Sequence, residues 1–547
     1  MLRPDSVHPP RRYRQEAPSG HADTSCGPCQ SGRDTTALQS CRHYVSAAGD
    51  LWRRNSFRHL GFTFQAAELA DFTRGRSMKT IVVSNRVADL SSEGAMPGGL
   101  AAALLTAVQK SGATWIGGSG KFVNKPIEHL PATVSPLGTG SLVTVDFPAG
   151  IYDEFYNGMA NSALWPILHY RADLLSYEPS YAESYELINA AMADTVCRFA
   201  QEDSLIWVHD YHFFTLGQCL RQRDITGPIG FFLHTPFPTR SVLVCLPGHR
   251  DIFKTLSAYD VIGFQTDDDL LRFRDYATRE LFATMVGQTE LRFGDRRVRL
   301  GVFPIGIDVD NFAKAARTSS AAPMLGRLRR ELQDSKIVIG VDRLDYSKGL
   351  VQRFLAYERF LTTYPAERKR VSFLQITPPT RGDVDAYQHM RAQLASIAGD
   401  INARFGGVDW MALRYINESF TPDVLAGFYR LSKVGCVTSL RDGMNLVAKE
   451  YVAAQDPDDP GVLVLSKFAG AAKELTAALL INPYDTDAIA LRLHEALYMR
   501  REERIERWKT LMQVLRRGSL QMWFESFIAA MRTACIKSAP SIARSVA

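Results

Sequence analysis

The stretch VGCVTSLRDGMNLVAKEY, residues 434–451, decides the fold. VGCVTSL is an apolar run of strand length, Arg441–Asn445 is a polar turn containing a glycine, and LVAKEY opens a helix. A strand that hands over to a helix through a short polar turn is the unit of a parallel sheet covered by helices.

The same unit recurs on either side. TIVVSNR (80–86), LIWVHDY (205–211), IGFFLHTPF (229–237) and VIGFQT (261–266) read as strands of one series. KIVIGVDRL (336–344), VSFLQIT (371–377), VGCVTSL, GVLVLS (461–466) and ALLINP (478–483) read as a second. GLVQRFLAYERFLTTYP and DAYQHMRAQLASIAGDINARF are helical segments between them. The expected fold is α/β, with two doubly wound, Rossmann-like parallel-sheet domains over 78–310 and 311–530 and a flexible tail over 531–547. A chain of 547 residues is too long for one ordinary core, which agrees with two domains.

Residues 1–77 differ in composition, with eleven arginines, no lysine and seven acids. They are expected to lie outside the core as a disordered or mis-annotated leader, with Met78 a candidate start. Most of the net charge of +6 comes from this leader, so the remainder has no general nucleic-acid footprint. No apolar run reaches the roughly 18 to 20 residues of a membrane span. The eight cysteines are too few for a disulfide scaffold. Cys197, Cys219, Cys245 and Cys436 read as reduced core residues of a cytosolic protein, and the Cys26–Cys29 pair lacks a second pair to make a metal site.

In open parallel sheets ligands bind beyond the carboxyl ends of strands. Strands here end in Arg86, His209 and Asp210, His234, Arg343, and Arg441 with Asp442, which suggests a cleft between facing domains. Arg343 and Lys348, beside a helix start, suit a diphosphate. The alternative is an Arg343 salt bridge to Asp342 or Asp345 and a solvated Lys348. Gly98 and Gly99 would let backbone approach a phosphate, or simply make a turn. Asp442 could accept from sugar hydroxyls or cap the helix, and Glu450 could accept a ribose diol or be a surface acid. Tyr156 and Trp165 could flank a sugar or fill a core, and Arg381 is a further exposed guanidinium.

Together VVSNR, NSALWPILHYR, WVHDYH, GFFLHTPFP, VDRLDYSKG, PPTRGDVDAY and RDGMNLVAKEYVAAQ closely resemble the trehalose-6-phosphate synthase family, retaining glycosyltransferases of the GT-B fold. The resemblance runs from about Lys79 to about Phe527. It implies transfer of glucose from UDP-glucose to glucose 6-phosphate, in the cytoplasm, by a homodimer or homotetramer, with no nucleic acid or membrane partner. His234, Asp210, Arg343 and Lys348 are the implied catalytic set. Gly98, Gly99, Arg343, Lys348, Asp442, Gly443, Met444, Asn445, Leu446 and Glu450 would bind the donor; Arg86, Tyr156, Trp165, Asp210 and Arg381 would bind the acceptor. No metal site and no obligatory cofactor are expected, with a divalent metal at most stimulatory, although Asp308–Asp310 and Asp383–Asp385 are D-x-D triplets. By analogy the last helix crosses back onto the first domain. A glucosylglycerol-phosphate synthase and a noncatalytic sugar-phosphate sensor of the same fold are the alternatives, and the preference among UDP-, ADP- and GDP-glucose stays open.

Overall fold

The computed structural model describes residues 78–88, 99–124, 129–319, 322–332, 335–378 and 385–538. Gly98, Arg381, Asp383, Cys26 and Cys29 therefore lie outside the described residues.

The first lobe is built on β1 (Thr80–Arg86), β2 (Thr114–Val123), β3 (Ala132–Leu137), β4 (Gly140–Pro148), β5 (Leu205–His209), β6 (Ile229–Phe232), β7 (Val261–Phe264), β8 (Thr284–Val286), β9 (Glu290–Phe293) and β10 (Arg296–Val302). Their order is β3-β4-β2-β1-β5-β6-β7-β10-β9-β8. The strands from β4 through β10 in that order pair in parallel, while β3 at one edge and β9 and β8 at the other are antiparallel. β5, β6 and β7 are buried along their whole length, as strands covered on both faces must be.

The second lobe holds β11 (Lys336–Val341), β12 (Val371–Ile376), β13 (Leu413–Ile416), β14 (Val434–Val437), β15 (Val462–Ser466) and β16 (Leu479–Ile481). All its pairs are parallel, in the order β13-β12-β11-β14-β15-β16. Counted from β11, this is the doubly wound order whose connections diverge between the first and fourth strands. The divergence falls between β11 and β14, the strands that lead to Arg343 and to Asp442. In the first lobe the corresponding crevice lies between β1 and β5, the strands that lead to Arg86 and to Asp210.

Helix Leu520–Ser538 leaves the second lobe and packs on β5, β7 and helix Gly99–Ser111. Phe527 stacks on Trp207 of β5, with ring centroids 4.4 Å apart. Phe527 and Met531 also fill the space over Gly230 of β6. Residues 531–538, expected in a flexible tail, instead continue this helix, and Met531 is completely buried. For three of the four cysteines expected in the core the placement also changes. Cys436 is buried, but Cys245 is exposed and Cys197 and Cys219 are only partly covered.

Candidate functional site

After β11 the chain runs through Asp342 and Arg343 to a short turn of helix, Tyr346–Lys348. Asp342 is claimed by Arg353, a fully buried guanidinium that donates to Asp342 Oδ2 (2.7 Å), Gln375 Oε1 (2.9 Å) and Thr438 Oγ1 (2.9 Å). A buried ion pair that is also hydrogen-bonded on its remaining donors fixes the ends of β11, β12 and β14 together. Asp345 is taken by the Ser347 N–H (2.9 Å) and the Tyr387 hydroxyl (3.3 Å). The salt bridge from Arg343 to either aspartate is therefore not the one formed. Arg343 is exposed and lies over the Trp165 ring of the other lobe, 5.9 Å from its centroid.

Lys348 is not simply solvated either. Its Nζ donates to Asp442 Oδ2 at 2.6 Å, and the same oxygen accepts from Asn445 Nδ2 (3.0 Å) and Ser439 Oγ (3.2 Å). Burial alone would raise the Asp442 pKa, but Lys348 and Asn445 outweigh it and the net shift is downward. The helix Leu446–Ala454 is capped by Asn445, whose Oδ1 accepts the Ala448 N–H (3.0 Å) from a left-handed backbone, φ 77°. Asp442 is consequently not the cap, and its half-buried carboxylate stands at the mouth of the turn.

On the same helix Glu450 accepts from the Tyr429 hydroxyl (3.4 Å), and burial pushes its pKa up to about 7. Its neighbour Lys449 points elsewhere, donating to Ile305 O and Glu474 Oε2, each at 2.7 Å. Gly443 meets the first lobe directly: a Cβ there would stand 1.9 Å from the His234 carbonyl oxygen. Only glycine permits that approach.

Facing these groups, β1 ends in Asn85 and Arg86. Asn85 Nδ2 donates to the Tyr152 hydroxyl (3.2 Å), and Tyr152 stacks on Tyr156, which stacks on His212. Burial raises the Tyr152 pKa to about 12, against the opposing influence of Arg86. Tyr156 belongs to an unusually long π-helix, Glu154–Leu164, which leads into Trp165. Wide helical turns of this kind are rare and are frequent at functional sites. Asp210, after β5, has φ 72° and ψ 170°, a conformation that strains any residue but glycine. Its Oδ1 accepts the His234 N–H (3.2 Å), and burial raises its pKa to about 6 while backbone N–H groups of His234, Tyr211 and Thr235 act the other way. His234 joins His209 through Nε2 (3.0 Å) and Gln265 through Nδ1 (3.3 Å).

The lobes touch around this cleft. Arg441 lies over Tyr170 of the first lobe (4.3 Å) and Phe468 of the second (4.9 Å), Arg171 over Tyr346 (5.4 Å), and Lys473 pairs with Asp268 (2.8 Å). Two sheets thus bring a cationic strand end, carboxylates and aromatic rings to one crevice, an arrangement that can hold a nucleotide-linked sugar opposite a second polar substrate.

Glycosyltransferase family 20 matches residues 78–533. The chain belongs to this family. Among curated relatives of this family 20 chain, a trehalose-6-phosphate synthase of Sinorhizobium fredii is 46% identical over 454 residues, covering 82% of this chain and 97% of the relative. Among solved structures, a UDP-forming α,α-trehalose-phosphate synthase of Burkholderia xenovorans in complex with glucose 6-phosphate superposes with a TM-score of 0.81 at 43% identity, covering 83% of this chain and all of that one. An E. coli structure bound with UDP-2-fluoro glucose gives 0.78 at 41% identity, covering 83% and 99%. The family 20 glycosyltransferase described here shares their two-lobed GT-B fold.

The motif reading of this family 20 chain missed Tyr152, Gln265 and Arg353. Arg353 and Gln265 sit inside apolar patterns that read as ordinary elements, and their partners are 11 to 85 residues away in sequence, so no local signal marks them. Tyr152 could have been found from its spacing to Tyr156, one helical turn on. Among the described residues no group of three or more His, Cys, Asp and Glu could hold a metal, and no helix is long and apolar enough to cross a membrane.

Proposed function

We propose that this chain transfers glucose from UDP-glucose to glucose 6-phosphate with retention, giving α,α-trehalose 6-phosphate and UDP. The observation that supports it is the Lys348–Asp442 pair joining the turns after β11 and β14, with Arg343 over Trp165 and Gly443 against His234 of the other lobe, in a chain with these relatives.

Arg343 and Lys348 neutralise the diphosphate as the C1–O bond breaks and charge develops on the leaving group. Glu450 accepts from the ribose hydroxyls, and Asp442 with the backbone of Gly443, Met444, Asn445 and Leu446 holds the donor glucose and phosphate; Gly98 and Gly99 approach the diphosphate from the other lobe. Arg86, Tyr156, Trp165 and Arg381 anchor the acceptor phosphate. Asp210, beside His234, accepts from an acceptor hydroxyl, so that the attacking oxygen is held near C1. The new C1–O bond forms on the face from which UDP departs, and the acceptor proton passes to a leaving-phosphate oxygen. A trapped glucosyl-enzyme from the parent protein would instead require double displacement through a carboxylate.

The family resemblance supports a cytoplasmic homodimer or homotetramer, which sedimentation would test. Turnover that survives a chelator supports a reaction with no obligatory metal; complete loss restored by Mn²⁺ defeats it. The deciding assay offers purified protein UDP-, ADP- or GDP-glucose with glucose 6-phosphate or glycerol 3-phosphate, and includes Arg343→Ala. Trehalose 6-phosphate from the parent alone supports the proposal. A glucosylglycerol phosphate product, or none with any donor, overturns it.

A further inference from the structure

A hydrogen-bonded line crosses the chain between the two lobes. The Ile305 N–H donates to Gln265 Oε1 (3.0 Å). A backbone N–H can only donate, so this atom of Gln265 is the oxygen, and its amide nitrogen faces His234 Nδ1 at 3.3 Å. Nδ1 accepts, which leaves the proton of the neutral ring on Nε2. From there it is donated to His209 Nδ1 at 3.0 Å. His209 in turn carries its own proton on Nε2, an atom that is buried with no hydrogen-bond partner among the described residues.

We propose that Gln265 and His209 are positioning residues that lock His234 into its Nε2–H tautomer, so that His234 meets the sugar through its ring edge and takes no part in proton transfer. The functional meaning of this inference rests on the transfer reaction proposed above. Every polar atom of His234 is engaged: the N–H by Asp210, both ring nitrogens by Gln265 and His209, and the carbonyl oxygen pressed against Gly443. Burial agrees, since it lowers the pKa of both rings, His234 to about 3. An imidazole with no free nitrogen is neither acid nor base, which agrees with an acceptor proton that leaves by the phosphate.

The arrangement also ties the ring to the second lobe. Ile305 gives its N–H to Gln265 and its carbonyl to Lys449, the neighbour of Glu450. A rotation of the lobes about this residue would pull on both bonds.

The test is ring-nitrogen NMR of full-length protein labelled with 15N-histidine, His234 being assigned by substitution. The parent is expected to show His209 and His234 as neutral Nε2–H rings at pH 7. Gln265→Glu keeps an acceptor for Ile305 but turns the face toward His234 from donor to acceptor. It should move a proton onto His234 Nδ1, read directly in the ring-nitrogen shifts of the folded variant. A parent His234 protonated on Nδ1 at pH 7 overturns the proposal, whether or not the variant folds. So does a folded Gln265→Glu protein whose His234 keeps its proton on Nε2 alone, since Gln265 would then not set the tautomer. A parent that forms no trehalose 6-phosphate sinks the proposed reaction instead and leaves the tautomers standing.

Discussion

Lys348 Nζ sits 2.6 Å from Asp442 Oδ2, so the turn after β11 and the turn after β14 are joined by a half-buried ion pair at the mouth of the cleft. The pair keeps a cation at the strand ends before any substrate arrives.

Lys348→Ala removes that cation and leaves Asp442 short of one donor. We expect kcat to fall about 10²- to 10³-fold, the usual cost of losing one group aimed at developing charge. The fold should lose about 2 kcal/mol through the unsatisfied carboxylate. Steady-state kinetics and a denaturant titration measure the two effects, and Lys348→Arg should restore more of the second than of the first.

Glu450 predicts a pH dependence. Its folded value of about 7 lies above the ordinary 4.5, so the folded chain holds this proton more tightly than the unfolded one. The group's contribution to stability therefore declines as pH rises from about 4.5 to about 7 and is level above that. Donor binding runs the other way, because the ionised form accepts ribose hydroxyls. Calorimetry with UDP-glucose should show affinity weakening by up to about tenfold per pH unit below 7. Glu450→Gln should bind more weakly at pH 8 and lose that slope.

Gly443→Ala places a methyl group 1.9 Å from the His234 carbonyl oxygen, where the neighbour is backbone and cannot swing aside. The lobes must separate locally. A loss of about 1–3 kcal/mol is expected from the overpacking, with kcat falling more than KM rises because the two halves of the site move apart. Equal changes in both parameters would count against a role for this contact in aligning the halves.

Phe527→Ala tests the crossing helix. The ring is fully buried and stacks on Trp207, so its removal should cost about 3–5 kcal/mol. Truncation at Ser519 should go further and expose Trp207 and Phe232, whose faces the helix covers. Thermal unfolding separates these outcomes, and a truncated chain with parental stability and activity would show that the helix is dispensable.

The strands that carry the site were the legible ones. β1, β5, β6, β7, β11, β12, β14 and β15 are continuous apolar runs, because parallel strands are buried on both faces, and β1, β5, β6, β11 and β14 lead into Arg86, Asp210, His234, Arg343 and Asp442, because strand carboxyl ends meet ligands. Other strands of the first sheet were not legible. β8 and β9 are short antiparallel strands at its edge, their neighbour β10 carries three arginines in RRVRLGV, and the interior β2 is interrupted by glycines, so none of them shows a strand's apolar period. In the site, Arg343, Lys348, Asp442 and Glu450 could be found from strand ends and spacing. Neither reading of Lys348, as a diphosphate ligand beside Arg343 or as a solvated lysine, could foresee Asp442 beside it, since 94 residues separate them. His234 was visible as a strand-end histidine, yet the engagement of both its ring nitrogens depends on Gln265 and Ile305, whose roles exist only once the chain has folded.

Ile305 belongs to neither lobe and to both, with its N–H given to Gln265 on one side and its carbonyl to Lys449 on the other. Anyone exchanging lobes between relatives to alter donor or acceptor choice therefore has a poor splice point here. A junction cut at this residue would graft one parent's amide onto another's lysine, and the seam should be moved so that Gln265, Ile305 and Lys449 come from a single parent.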